Sequence, residues 1–183
     1  MKTILAALAA MLLFLVPVAG QSAWSKKDVT SLIRSTGCKA RIVTSDKVSA
    51  FNSFYQPGGV ELMDMAIKED AIYIGTAPDL DDELVMGVAL HEAEHCRQYE
   101  IFHMTVQDYY NDPVKMELDA DRYAADQMCR LGYDGVAINK RLLQKAHDDF
   151  GYNGDEHHGT LEQRMAQTNN ATACQALQSF YQQ

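Results

Sequence analysis

Apolar positions follow several rhythms along this chain. Ile4 to Val18 is one apolar run, interrupted only by Pro17 and preceded by the single charge of Lys2. Val18-Ala19-Gly20 then offers small residues. The run is short for a membrane span, which needs about 20 apolar residues. It reads as a secretory signal peptide over residues 1–20, cleaved after Gly20 with Ala19 or Ala23 as alternative sites, rather than an uncleaved anchor. Beyond it the spacing turns helical. Val29, Leu32 and Ile33 form a stripe behind a Ser25/Asp28 capping box, and Gly37 ends it. Residues 40–44 alternate like a strand. Pro57-Gly58-Gly59 marks a turn. Residues 60–67 and 71–75 read as a hairpin around Lys68-Glu69-Asp70.

The second half is more strongly helical. Asp79, Asp81 and Asp82 crowd the start of a long pattern over about 81–102, where acids favour the helix dipole. Asp112-Pro113 opens a helix to Arg130, with Gly132 behind it. A further helix covers 135–150. Thr160 with Gln163 is a capping box for the last helical region, which runs into a glutamine-rich end.

Composition narrows the class. The chain has 183 residues and a formal net charge of -9. Removing Lys2 with the signal leaves a mature chain near -10, about -9 minus +1. Nucleic-acid binding needs clustered Lys and Arg, so no nucleic-acid partner is expected. No stable membrane insertion is expected after signal cleavage, and the mature protein is expected in the periplasm or outside the cell. Four cysteines (Cys38, Cys96, Cys129 and Cys174) then read as two disulfides rather than free thiols. No CxxC pair supports a cysteine metal site. Asn170-Ala171-Thr172 is a glycosylation sequon expected to be idle.

Chemistry concentrates in His91-Glu92-Ala93-Glu94-His95. Two His four apart on a helix share one face, about 5–6 Å from each other. That spacing lets both imidazoles bind one zinc ion, with Glu92 as general base toward a water. A third ligand is required. The pattern H-E-x-x-H-x-x-G-x-x-H fails, because Gln98 and Ile101 stand where Gly and His are needed. Glu117 on the next helix is the alternative. Asp121, one turn further, would support the ring of a ligating His. Periodicity alone leaves Glu117 and Asp121 open between this role and a solvated acidic face, while Asp119 points away. Tyr109, Tyr110 and Tyr123 are weaker candidates for an oxyanion donor. His103, His147 and His157 are not assigned as ligands.

The stretch from Glu117 to Asp126, E-L-D-A-D-R-Y-A-A-D, resembles the E-x-x-A-D-x-x-(A/G) signature of the HtpX-like and CaaX-prenyl-protease family of gluzincin metallopeptidases. Gly132-Tyr133-Asp134 is similar to the turn that follows in that family. His158 and Arg164 match the spacing of its His-Pro pair and downstream Arg, with Gly159 in place of the proline. Residues 50–52 and 57–59 match more loosely. The strong part covers about residues 86–134. The resemblance implies a zincin-like α+β domain over residues 21–183, mostly helical with a small antiparallel or mixed sheet. It implies one Zn2+ per chain held by His91, His95 and Glu117, and supported by Asp121. It makes Glu92 catalytic. It makes His158 the first candidate oxyanion donor, or else a group that approaches the zinc and shuts the site. It also puts the substrate, a protein or peptide, along the edge of the strand at Ala71–Gly75.

Two functions follow: an endopeptidase outside the cytoplasm, or a silent or self-inhibited metal-binding module of the cell envelope. If His95 and Glu117 meet at one ion, Cys129 lies about 18 Å along its helix from that level. That disfavours Cys96–Cys129, since bridged Cα atoms lie within about 7 Å. Cys38–Cys96 with Cys129–Cys174 is the favoured pairing; Cys38–Cys129 with Cys96–Cys174 is the alternative.

Overall fold

The computed structural model describes residues 26–58, 61–62, 65–66 and 69–181. The expected signal peptide and the Ser25 cap lie outside the described residues. The fold is α+β and mostly helical, with a small mixed sheet. Helix α1 covers Lys26–Ser35 and strand β1 Arg41–Ser45. A 3-10 turn at Ala50–Asn52 leads into β2, Phe54–Gln56. Then come β3 (Glu61–Leu62), β4 (Met65–Ala66) and β5 (Ala71–Gly75). Helices α2 (Asp82–Glu100), α3 (Val106–Asn111), α4 (Pro113–Arg130) and α5 (Gly135–Phe150) follow. Short strands β6 (Gly154–Asp155) and β7 (Gly159–Thr160) precede α6 (Leu161–Thr168) and α7 (Thr172–Tyr181).

The sheet departs from the expected hairpin. Its order is β1-β5-β2. β5 pairs parallel with β1, from Arg41↔Ala71 to Ser45↔Gly75, and antiparallel with β2, from Phe54↔Tyr73 to Gln56↔Ala71. Among the described residues β3 pairs only with β4. Ala71–Gly75 is therefore the central strand, not an edge. The reason lies in its residues: Ala71, Ile72, Ile74 and Gly75 are all buried. A run apolar on both faces belongs inside a sheet.

Helix α2 is the axis of the fold. Asp81 caps it by accepting from the Leu84 N–H at 3.0 Å. All residues from Leu84 to Cys96 are buried, so its apolar surface has no single face. Such a helix must be enclosed. Around it pack Val29 and Ile33 of α1, Ile72 and Ile74 of β5, Ala124 and Met128 of α4, and Ile138 and Leu142 of α5. Where α5 begins, a Cβ on Gly135 would lie 2.1 Å from the Ala125 carbonyl oxygen. Only glycine lets that turn approach α4 so closely.

The disulfides take the favoured pairing. Cys38–Cys96 ties the loop after α1 to α2, and Cys129–Cys174 ties α4 to α7. Two disulfides mark an oxidising, extracytoplasmic setting. No helix among the described residues is long and apolar enough to cross a membrane.

Candidate metal centre

The candidate site starts from two helices meeting through small side chains. Ala93 of α2 and Ala124 of α4 are both in the central cluster. α2 directs His91 and His95 toward α4, which answers with Glu117 and Asp121, one turn apart. All four are buried. Asp119 faces outward, pairing with Lys115 at 2.6 Å and Arg122 at 3.1 Å. The acidic face is thus split between a buried half and a solvated half.

Three donors converge. His91 Nε2 lies 3.1 Å from Glu117 Oε2, and His95 Nε2 lies 3.2 Å from Glu117 Oε1. The two Nε2 atoms are 3.2 Å apart. Bonds of about 2.0–2.1 Å to one tetrahedral ion would set ligand atoms about 3.3 Å apart, close to this spacing.

The outer ring nitrogens show how the donors are aimed. His91 Nδ1 lies 3.1 Å from Asp121 Oδ1, and His95 Nδ1 lies 3.0 Å from Gln98 Oε1. Gln98 in turn donates its amide to the Met116 carbonyl at 3.0 Å, which fixes its oxygen toward the ring. Each Nδ1–H then has an acceptor, and each Nε2 turns inward toward Glu117. Arg164 of α6 closes the support, donating to Asp121 Oδ2 at 2.6 Å and Oδ1 at 2.7 Å. Its Nη2 also lies 4.0 Å from Glu117.

Electrostatics describe a pocket built for positive charge. Burial favours a neutral His91 ring, but the hydrogen bonds and charges of Asp121 and Glu117 outweigh it and raise its pKa to about 10. His95 moves the same way, with Glu117 overcoming burial. Burial works against an ionised Glu117, yet His95 and His91 hold it well below the usual carboxylate range. Glu92 differs: burial raises it, and the two His and the Tyr55 backbone N–H offset this only in part.

The centre opens into a cleft of about 410 Å³. Its walls include the segment from Ser53 to Pro57, Tyr109 and Tyr110 of α3, Leu142 and Ala146 of α5, and His158. No family profile matches the chain, and no curated protein or solved structure is detectably similar to it.

His158 stands on this wall outside the donor cluster. Its Nδ1 is 2.8 Å from Asp155 Oδ2, and Asp155 Oδ1 also accepts the backbone N–H groups of His157 and His158 at 2.8 Å. Gly159 has φ 76, and a Cβ there would meet Val114 at 2.9 Å. Proline, locked near -65°, cannot occupy that conformation.

Of the weaker candidates, Tyr109 lines the cleft, its phenol raised to about 12 by burial and by Glu117. Tyr110 also lines it. Tyr123 does not: Arg97 stacks over its ring at 4.4 Å. His147 Nδ1 lies 3.1 Å from the Tyr152 carbonyl, and His157 is beside Glu156 at 3.6 Å.

Sequence reasoning missed three parts of this centre. Gln98 counted only as a position lacking Gly. Arg164 counted only as a spacing. Helix α3 was unassigned, although Thr105 and Asp108 form a capping box there.

Proposed function

We propose that this protein is a zinc-dependent endopeptidase of the gluzincin type, similar to the HtpX-like family and zincin-like in fold, acting in the periplasm or outside the cell. One observation carries the reading: both His Nδ1 atoms are matched to fixed oxygen acceptors, so both Nε2 atoms and Glu117 converge on a common point. His91, His95 and Glu117 would hold the ion, with Asp121, Gln98 and Arg164 behind them. A bound zinc ion supplies Lewis acidity and lowers the pKa of its water toward about 7.

The chain's own groups supply the rest. Glu92 is buried beside the His pair with a raised pKa, which suits a group that takes a proton from the attacking water and passes it to the leaving amine. His158, oriented by Asp155, and the Tyr109 hydroxyl are two of the cleft donors that could serve a developing oxyanion. The peptide edge moves from β5 to β2. Among the described residues β2 is an end strand of its sheet, and Phe54 to Gln56 line the cleft. An extended peptide can add to that edge through main-chain hydrogen bonds.

The test uses purified protein. It should hold one zinc per chain, and Glu92→Gln should keep the zinc and lose hydrolysis of an unfolded protein. Equal hydrolysis by the two forms would refute the mechanism. Bound zinc with no hydrolysis by the parent protein would favour the silent metal-binding module.

A further inference from the structure

We infer that Tyr152 is a positioning residue: its ring and hydroxyl tie the turn carrying His158 to Arg164, so that the cleft-wall histidine and the donor cluster are held in one register. The inference rests on the endopeptidase reading and adds the residue that couples the two halves of its site.

Arg164 uses all three of its guanidinium nitrogens. Nε and Nη2 go to the two oxygens of Asp121, at 2.6 and 2.7 Å. The remaining Nη1 lies 3.4 Å from the Tyr152 hydroxyl, and the guanidinium carbon stands 5.9 Å from the centre of the same ring. A phenol that accepts from Arg164 still has its own proton to give. The carbonyl of Gly159, next in the chain to His158, lies 3.4 Å from that hydroxyl and can take it. Burial raises the pKa of the phenol and Arg164 offsets this only in part, so near neutrality the proton is present.

The ring also meets the histidine directly. Tyr152 and His158 stand edge-on, with centroids 6.2 Å apart at 83°. Asp155 holds His158 as well, accepting its backbone N–H and facing Nδ1. The imidazole is thus set by a carboxylate and an aromatic ring together. Tyr152 does not line the cleft, so it meets no substrate. What it can change is where His158 stands.

Helix α5 fixes Tyr152 in turn. The Tyr152 N–H donates to the Ala146 carbonyl at 3.4 Å and the Gly151 N–H to the His147 carbonyl at 2.8 Å, the pair of bonds that finishes a helix. His147 Nδ1 then lies 3.1 Å from the Tyr152 carbonyl, which gives a use to a histidine the donor cluster leaves out. Contacts therefore run unbroken from His91 through Asp121, Arg164 and Tyr152 to the His158 turn. A small misplacement of a catalytic group is enough to slow the chemistry.

The experiment compares Tyr152→Phe, which loses only the hydroxyl, with Tyr152→Leu, which loses the ring as well. Zinc content and the unfolding midpoint report that each is folded. With a fluorescence-quenched unfolded protein as substrate, kcat should fall about tenfold in Tyr152→Phe and further in Tyr152→Leu, while KM holds. In a His158→Ala background Tyr152→Phe should cost nothing more, because a residue that acts through His158 has nothing left to position. Unchanged kcat in both variants, full additivity of the two losses, or a rise in KM with kcat intact would each overturn the proposal. The imidazole resonance that disappears in His158→Ala gives a readout independent of turnover, and it should shift in Tyr152→Phe. An unmoved resonance would overturn the proposal even where kcat falls. A shifted resonance in a protein that binds zinc, whose parent form hydrolyses nothing, would support the positioning and sink the hydrolytic reading.

Discussion

Arg164 on α6 grips both carboxylate oxygens of Asp121 on α4, at 2.6 and 2.7 Å, and Asp121 in turn meets the outer nitrogen of His91. A residue 43 positions beyond Asp121 thereby helps to orient the His91 ring. Burial opposes the charge on Asp121, and Arg164 holds its pKa low regardless.

Arg164→Met should accordingly leave a buried carboxylate without its cation. The expected cost is about 3 kcal/mol of folding stability. Zinc affinity should fall about 10- to 100-fold. Denaturant unfolding and competition with a chelator measure the two. An unchanged zinc affinity would show that Asp121 orients His91 without help.

Metal affinity should rise with pH. In the metal-free protein the His91 pKa lies at about 10, above its ordinary 6.5, so near neutrality the ring carries a proton that the ion must displace. Affinity should climb up to about tenfold per pH unit for each proton displaced. The metal-free fold shows the opposite trend from this group. Its contribution is complete below about pH 6.5 and is lost as pH rises through about 10. Calorimetry in buffers of different ionisation enthalpy counts the released protons, and a count of zero between pH 6 and 8 would contradict this.

Asp155→Asn should keep the turn, because an amide oxygen still accepts the two backbone N–H groups. It removes the negative charge from His158 Nδ1. If His158 donates to the oxyanion, kcat should drop by about tenfold while KM and zinc content hold. Full activity would leave Tyr109 as the donor to test next.

The two disulfides should separate by effect. Replacing Cys129 and Cys174 with Ala opens a link over 45 residues, worth about 4 kcal/mol in the chain-entropy treatment. It should lower stability with little change in zinc affinity. Replacing Cys38 and Cys96 frees the residue next to His95, and should weaken both. Unfolding curves with zinc titrations distinguish them; identical behaviour of the two double variants would refute the local coupling.

Much of the centre was legible because it is local. His91, Glu92 and His95 share one helical turn, and a four-residue spacing has a single geometric meaning on a helix. Glu117 and Asp121 were visible as a pair with Asp119 pointing away, but periodicity left that pair open to a solvated acidic face, and only packing shows both buried. Gln98 carried no signal, since an amide beside a His acquires its role only when Met116 fixes which end points at the ring. The strand at 71–75 was read correctly as a strand and wrongly as an edge. Its continuous apolar run was the available signal, and the competing one was the nearby turn at Lys68-Glu69-Asp70.

The sequence by itself determined the longer helices and the His pair, because capping residues, Gly and Pro stops and the 3.6-residue period act over a few positions. Only the tertiary structure decided the sheet order and the hydrogen bonds of Arg164 and Gln98, and it chose the cysteine pairing the sequence already favoured over its alternative. Each of those joins residues far apart in the chain. Which distant partners meet depends on how α2 is enclosed on every side, and that is a property of the assembled core.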